Sequence, residues 1–139
     1  MKNFKILSAA AMALLIAGCS LVIVEDLPGP RANYFDGDFE YATHKGAIVT
    51  VIAGNPFGLP KTQFDNDVRD LLTKSVIIGT AKFVANAGSK TVAPFKVVVA
   101  FNTIPSIDNH DLCAQGGQTP TVPQTGEINV KMAFCDGDN

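Results

Sequence analysis

Asp108-Asn109-His110-Asp111 is the densest gathering of chemically able side chains in the sequence. An imidazole between two carboxylates can act as an acid or base, and the same three groups can hold a metal ion. They also make an ordinary Asx-type turn, in which short acidic side chains accept from nearby backbone N–H groups and no chemistry is needed. The turn is the expectation, with Asp108, His110 and Asp111 kept as a tentative binding loop. His44, the other histidine, falls in a short polar loop between two predicted strands. Asp36-Gly37-Asp38-Phe39-Glu40 and Asp136-Gly137-Asp138 set oxygens around a glycine as a calcium loop begins, but the later ligands and the bidentate glutamate are missing. Gly54 to Gly58 is interrupted by Pro56 and lacks the lysine of a phosphate cradle, and no serine stands in a G-x-S-x-G frame. The sequence predicts no catalytic residue, no metal centre and no cofactor.

The cysteines are more telling. Lys2 and Lys5 precede an apolar run from Ile6 to Ala17, and Leu15-Ile16-Ala17-Gly18-Cys19 ends that run with two small residues before a thiol. This arrangement resembles the bacterial lipobox. The resemblance implies cleavage between Gly18 and Cys19, diacylation of the Cys19 thiol, and a mature protein held to a membrane by acyl chains. Each buried methylene contributes about 0.8 kcal/mol, so two or three chains hold firmly where one does not. Ser20 in the following position, in place of aspartate, implies the periplasmic face of the outer membrane of a Gram-negative cell. The rival reading is a spanning helix, since the run resumes at Leu21-Val22-Ile23-Val24, but Gly18-Cys19-Ser20 breaks it where a processing site belongs.

With Cys19 committed to lipid, Cys113 and Cys135 remain, and in an oxidising compartment a disulfide between them is expected. A redox-active or metal-binding pair is the weaker reading, because no C-x-x-C spacing is present. Charged residues make up 17 % of the chain and the net charge is −2, which leaves no basic field to attract nucleic acid.

These residues must be positioned by one domain. Residues 1–18 read as signal peptide, 19–33 with Leu27-Pro28-Gly29-Pro30 as a lipidated tether, and 34–139 as a single α+β domain. Tyr34–Tyr41 and Gly46–Ala53 carry β-favouring residues and suggest a hairpin; the second strand is apolar on both faces, as in an interior strand or one whose second face is covered by another element. Pro60 opens an amphipathic helix with Phe64, Val68, Leu71 and Leu72 on its apolar stripe and Asp65–Arg69 as an i, i+4 pair. Strands are expected over Val76–Val84, with a bulge at Gly79, then over Phe95–Asn102 and Glu127–Cys135. The predicted order is β-β-α-β-β-β in a largely antiparallel sheet with one helix packed on it.

The long loop from Thr103 to Thr125 is expected to be irregular, restrained by Cys113, and the first place to seek a binding surface. Asp136-Gly137-Asp138-Asn139 reads either as a solvated tail or as a turn whose partner strand lies beyond the end of the sequence, leaving one sheet edge open.

Gly54-Asn55-Pro56-Phe57-Gly58 before an amphipathic helix, with Ala133-Phe134-Cys135 closing a late strand, resembles uncharacterised small envelope lipoproteins of proteobacteria. That group brings no activity to any residue here. The expected role is a non-enzymatic envelope module that contacts another envelope protein through a sheet edge or the proline-containing loop. A small-ligand binder with Phe57 and Phe64 lining a groove is the alternative, and an enzyme built on His110 the third.

Overall fold

The structure is a computed structural model and describes residues 37–75, 80–123 and 126–138. The lipobox with Cys19, the tether, Tyr34 to Asp36, Gly79, Thr125 and Asn139 lie outside these residues. Helix α1 (Asp38–Lys45) opens the described chain and is followed by β1 (Ala47–Ala53), α2 (Lys61–Ser75), β2 (Lys82–Val84), β3 (Thr91–Phe101), α3 (Asn109–Gln115), a 3-10 turn (Gly116–Gln118) and β4 (Val130–Asp136). The strands form one mixed sheet in the order β2-β1-β3-β4, in which β1 runs parallel to both β2 and β3, and β4 runs antiparallel to β3.

The class is α+β, as expected, but the sheet is mixed and three helices cover it. A strand, a helix and a second strand in sequence return the chain to its starting end, so β1 and β2 must pair in parallel. β2 then advances the chain only about 10 Å. The short link at 85–90 can therefore cross the start of β1, where the Lys90 carbonyl accepts from Ala47 N at 2.9 Å, and β3 sits on the far side of β1 from β2.

The predicted first strand is instead a helix. Asp38 and Glu40 lie in the first turn of α1, where carboxylates complement the helix dipole, and Gly46 ends it. A side chain at Gly46 would run into the Lys90 carbonyl. His44 consequently stands in the last turn of α1, with Nε2 3.8 Å from Glu40 Oε1, and not in a hairpin loop.

In α2 the Pro60 carbonyl accepts from Phe64 N at 3.0 Å, and the stripe formed by Phe64, Val68 and Leu72 packs on the sheet. Leu71 is 64 % exposed and does not belong to it. The Asp65 carboxylate pairs with Lys61 at 2.8 Å, not with Arg69. Arg69 Nε donates to the Thr50 carbonyl at 3.2 Å, and Lys61 Nζ to the Ile52 carbonyl at 3.1 Å. Because β2 pairs with β1 only as far as Val49, these two cations take carbonyls that a longer β2 would have bonded.

Alternation along the strands makes two cores. Ile48, Ile52, Phe83, Val97 and Val99 face α1 and α2 together with Ala42 and Phe64. Ala53, Val98, Ala100, Ala133 and Cys135 face the other way, against Ile107, Leu112 and Cys113. β1 is thus the interior strand its two apolar faces predicted, and β3, predicted to be half-buried, is buried on both faces from Val97 to Ala100. β4 buries Ala133 and Cys135 on one face, while Val130 and Phe134 on the other, the face predicted to meet the core, are only half-buried. Among the described residues β4 is an edge strand, and Met132 on it is 58 % exposed. No helix among them is long and apolar enough to cross a membrane.

Candidate functional site

The loop predicted to be irregular builds α3, and the chemically able cluster turns out to be its start. Asp108 is the N-cap residue; its Oδ1 accepts from Asp111 N at 2.8 Å, and Asp111 Oδ2 accepts from Asp108 N at 3.3 Å. This reciprocal capping satisfies backbone donors that a helix start leaves without partners. The possible ligand atoms of Asp108, His110 and Asp111 lie within 4.8 Å of one another, and His110 is exposed. The closeness follows from the cap, so the cluster reads as a helix start.

The cap serves a larger purpose. It fixes α3 so that Leu112 and Cys113 face the sheet, and Cys113 is joined to Cys135 of β4 with Cα atoms 5.6 Å apart. Lys131 Nζ donates to the Ile107 carbonyl and ties the same excursion to β4 once more. The predicted pairing of Cys113 with Cys135 is the one the structure has.

Phe57 and Phe64, the apolar contacts expected of a groove between helix and loop, line neither of the two crevices described below. Phe64 is 4 % exposed and belongs to the core, its ring centroid 5.0 Å from Phe101, while Phe57 is 59 % exposed and leans on Phe64 at 6.0 Å.

A crevice of about 310 Å³ opens close by, at the C-terminal ends of β1 and β3. The chain leaving β1 turns towards α2 on one face of the sheet, and the chain leaving β3 turns towards α3 on the other. Two neighbouring parallel strands whose connections part in this way leave a gap between their loops, the place where open α/β sheets bind ligands. Gly54, Asn55 and Pro56 form one wall, Thr121, Val122 and Pro123 the other, and Phe101 and Asn102 the floor. None of these side chains is charged.

Each wall has a local cause. Gly54 (φ +78°) turns the chain out of β1 where a Cβ would stand 2.6 Å from the Phe101 carbonyl oxygen. Asn55 then accepts from Phe57 N through Oδ1 at 3.3 Å and donates through Nδ2 to the Leu59 carbonyl, which closes the loop on itself. On the floor Asn102 takes a left-handed conformation (φ +52°) that asparagine tolerates better than most residues. Its backbone N–H donates to Asn129 O at 2.7 Å, its Oδ1 accepts from Asn129 N at 2.9 Å, and its carbonyl accepts from Val122 N at 2.7 Å. Asn102 therefore ties the far end of the long loop, at Val122, and the approach to β4, at Asn129, to the end of β3. Its own amide NH2 makes no hydrogen bond among the described residues, although the residue is only 7 % exposed.

A second crevice of about 200 Å³ lies beside Pro94, where β3 bulges opposite β1, and its lining is mostly aliphatic. Neither crevice is lined by Asp108, His110 or Asp111. Comparisons with protein-family models, with curated proteins and with solved structures each find no match.

Proposed function

We propose that the protein is an envelope lipoprotein, cleaved before Cys19, acylated there, and held by its acyl chains to the periplasmic face of the outer membrane. Its domain is a non-enzymatic interaction module. The observation that carries this reading is the Cys113–Cys135 disulfide, which is buried beneath α3 and belongs to an oxidising compartment. The bond and the lipobox are separated by most of the chain, and each independently calls for export.

The contact surface for an envelope partner is the end of the sheet where Asn55 to Leu59 and Thr121 to Pro123 come together. Phe57, Leu59 and Val122 are exposed apolar residues on these two loops, and loops held by a rigid sheet are where binding concentrates.

Replacing Cys19 with serine tests the anchor. Cells labelled with radioactive palmitate are expected to incorporate label into the wild-type protein, which fractionates with membranes. The C19S variant is expected to carry no label and to retain its signal segment. A labelled C19S variant, or wild type that takes up no label, overturns the proposal.

A further inference from the structure

The crevice at the ends of β1 and β3 has a chemistry of its own. It is uncharged throughout, so nothing in its walls compensates a phosphate or a carboxylate. Its nearest cation on α2, Lys61, is already held by Asp65 and the Ile52 carbonyl. One polar group at its floor has hydrogen-bonding capacity to spare: the amide NH2 of Asn102, a residue only 7 % exposed. Its orientation is fixed because Oδ1 must face the Asn129 N–H. Thr103 Oγ1, buried without a hydrogen-bond partner beside the Thr103–Thr121 bridge, does not line the crevice. The Asn102 amide is therefore the donor that the crevice can offer.

Shape narrows the class. A peptide recognised by strand addition needs a free sheet edge, whereas this crevice stands over β1 and β3, the two interior strands. At about 310 Å³ it is at the lower bound of small-molecule sites, which run from about 300 to 1,000 Å³. Pro56, Val122 and Phe101 offer apolar surface beside the Asn and Thr groups, and the exposed Phe57 ring follows Pro56 directly. An uncharged ring with oxygens on its edge and C–H groups on its face matches both kinds of surface.

We propose that the crevice formed by Gly54–Pro56, Phe101–Asn102 and Thr121–Pro123 binds a neutral sugar unit, free or at the end of a glycan, with the Asn102 amide donating to one of its oxygens. The inference rests on the contact surface proposed at this end of the sheet, whose partner it specifies, and is independent of the anchor.

Titration of the isotope-labelled full chain with N-acetylglucosamine, followed by amide NMR, tests it. The sugar is expected to shift the Asn102 side-chain NH2 pair and the backbone amides of Gly54, Asn55 and Thr121 in a saturable way. Inorganic phosphate at the same concentration is expected to leave them in place. Asn102→Asp keeps the acceptor for Asn129 and loses the donor, and is expected to weaken the sugar about tenfold or more. Val122→Trp, at a residue 45 % exposed, fills the crevice without touching a core and is expected to abolish the shifts even if N102D fails to fold. No saturable shift with the sugar, equal shifts with phosphate, or undiminished affinity in a folded variant overturns the assignment. A protein that takes up no palmitate yet shows these shifts separates failure of the anchor from failure of the crevice.

Discussion

Gly54 and Asn102 set the crevice from opposite sides, and each does so through its backbone. A methyl group at Gly54 would meet the Phe101 carbonyl, the Phe101 Cβ and Thr121 Cγ2 in a conformation that disfavours side chains. Gly54→Ala is therefore expected to destabilise the domain by about 1–3 kcal/mol. Gly58→Ala, with a similar φ of +64° but open space around the added atom, should cost less. Urea denaturation of the two variants measures the difference, and equal midpoints would contradict the close approach at Gly54. The histidine-centred cluster was legible in the sequence as a turn, and the structure gives that turn its work as the cap of α3. Asn102 was legible only as one more residue in the alternation of β3. What distinguishes it is its bonding to Asn129, 27 residues away, and separation of that kind leaves no local pattern.

At the scale of elements, α2 shows why periodicity locates a helix better than it locates the margin of its buried face. Phe64, Val68 and Leu72 follow one another at i+4 and meet the core, while Leu71, beside them on the helix, is 64 % exposed. Val68→Asp is expected to cost at least about 1.5–3 kcal/mol of burial. Leu71→Asp is expected to change stability by about 0.5 kcal/mol or less. Thermal melts of the two variants decide, and a larger loss at Leu71 would contradict the packing. α1 was misread because its aromatic residues favour strands in general. Here they pack across elements instead: Phe39 meets Phe134 at 5.2 Å and Tyr41 meets Phe95 at 6.5 Å. Tertiary contact outweighed local propensity, although the acidic first turn and Gly46 were helix signals present in the sequence.

Asp138, just past β4, illustrates a weaker tie at the same scale. The hydrogen bond from Lys96 at 2.7 Å, with its charge, holds the Asp138 carboxyl below the ordinary carboxylate range. The unfolded chain gives up that proton less readily, so whatever the contact contributes is present above the usual carboxylate pKa and is lost as pH falls through the depressed value. Asp138 is fully exposed, and solvent screening keeps the contribution small.

Across the whole molecule, two thin cores on the faces of a four-stranded sheet need a restraint that a thicker core would not. The seven-residue α3 is too short to be stable in isolation. The disulfide closes a segment of 22 residues and contributes on the order of 3 kcal/mol by loop closure, anchoring α3 to the edge strand. The pairing of the two cysteines was legible because only two remained after Cys19. The mixed topology was not, since a short link such as 85–90 reads as a hairpin unless β2 is known to be only three residues long. The strand, helix and strand from β1 to β2 did carry the parallel pairing in their order. The proposed export and anchor join the disulfide and the crevice in one account, in which acyl chains would hold the domain at a membrane while the restrained long loop completes the crevice.

Intact-mass spectrometry of the protein extracted from membranes without reductant tests that account most directly. It is expected to show a chain beginning at Cys19, heavier by its acyl groups, and lighter by the two hydrogens of one disulfide. A chain that begins at Met1, carries no lipid and has both Cys113 and Cys135 as free thiols would contradict it.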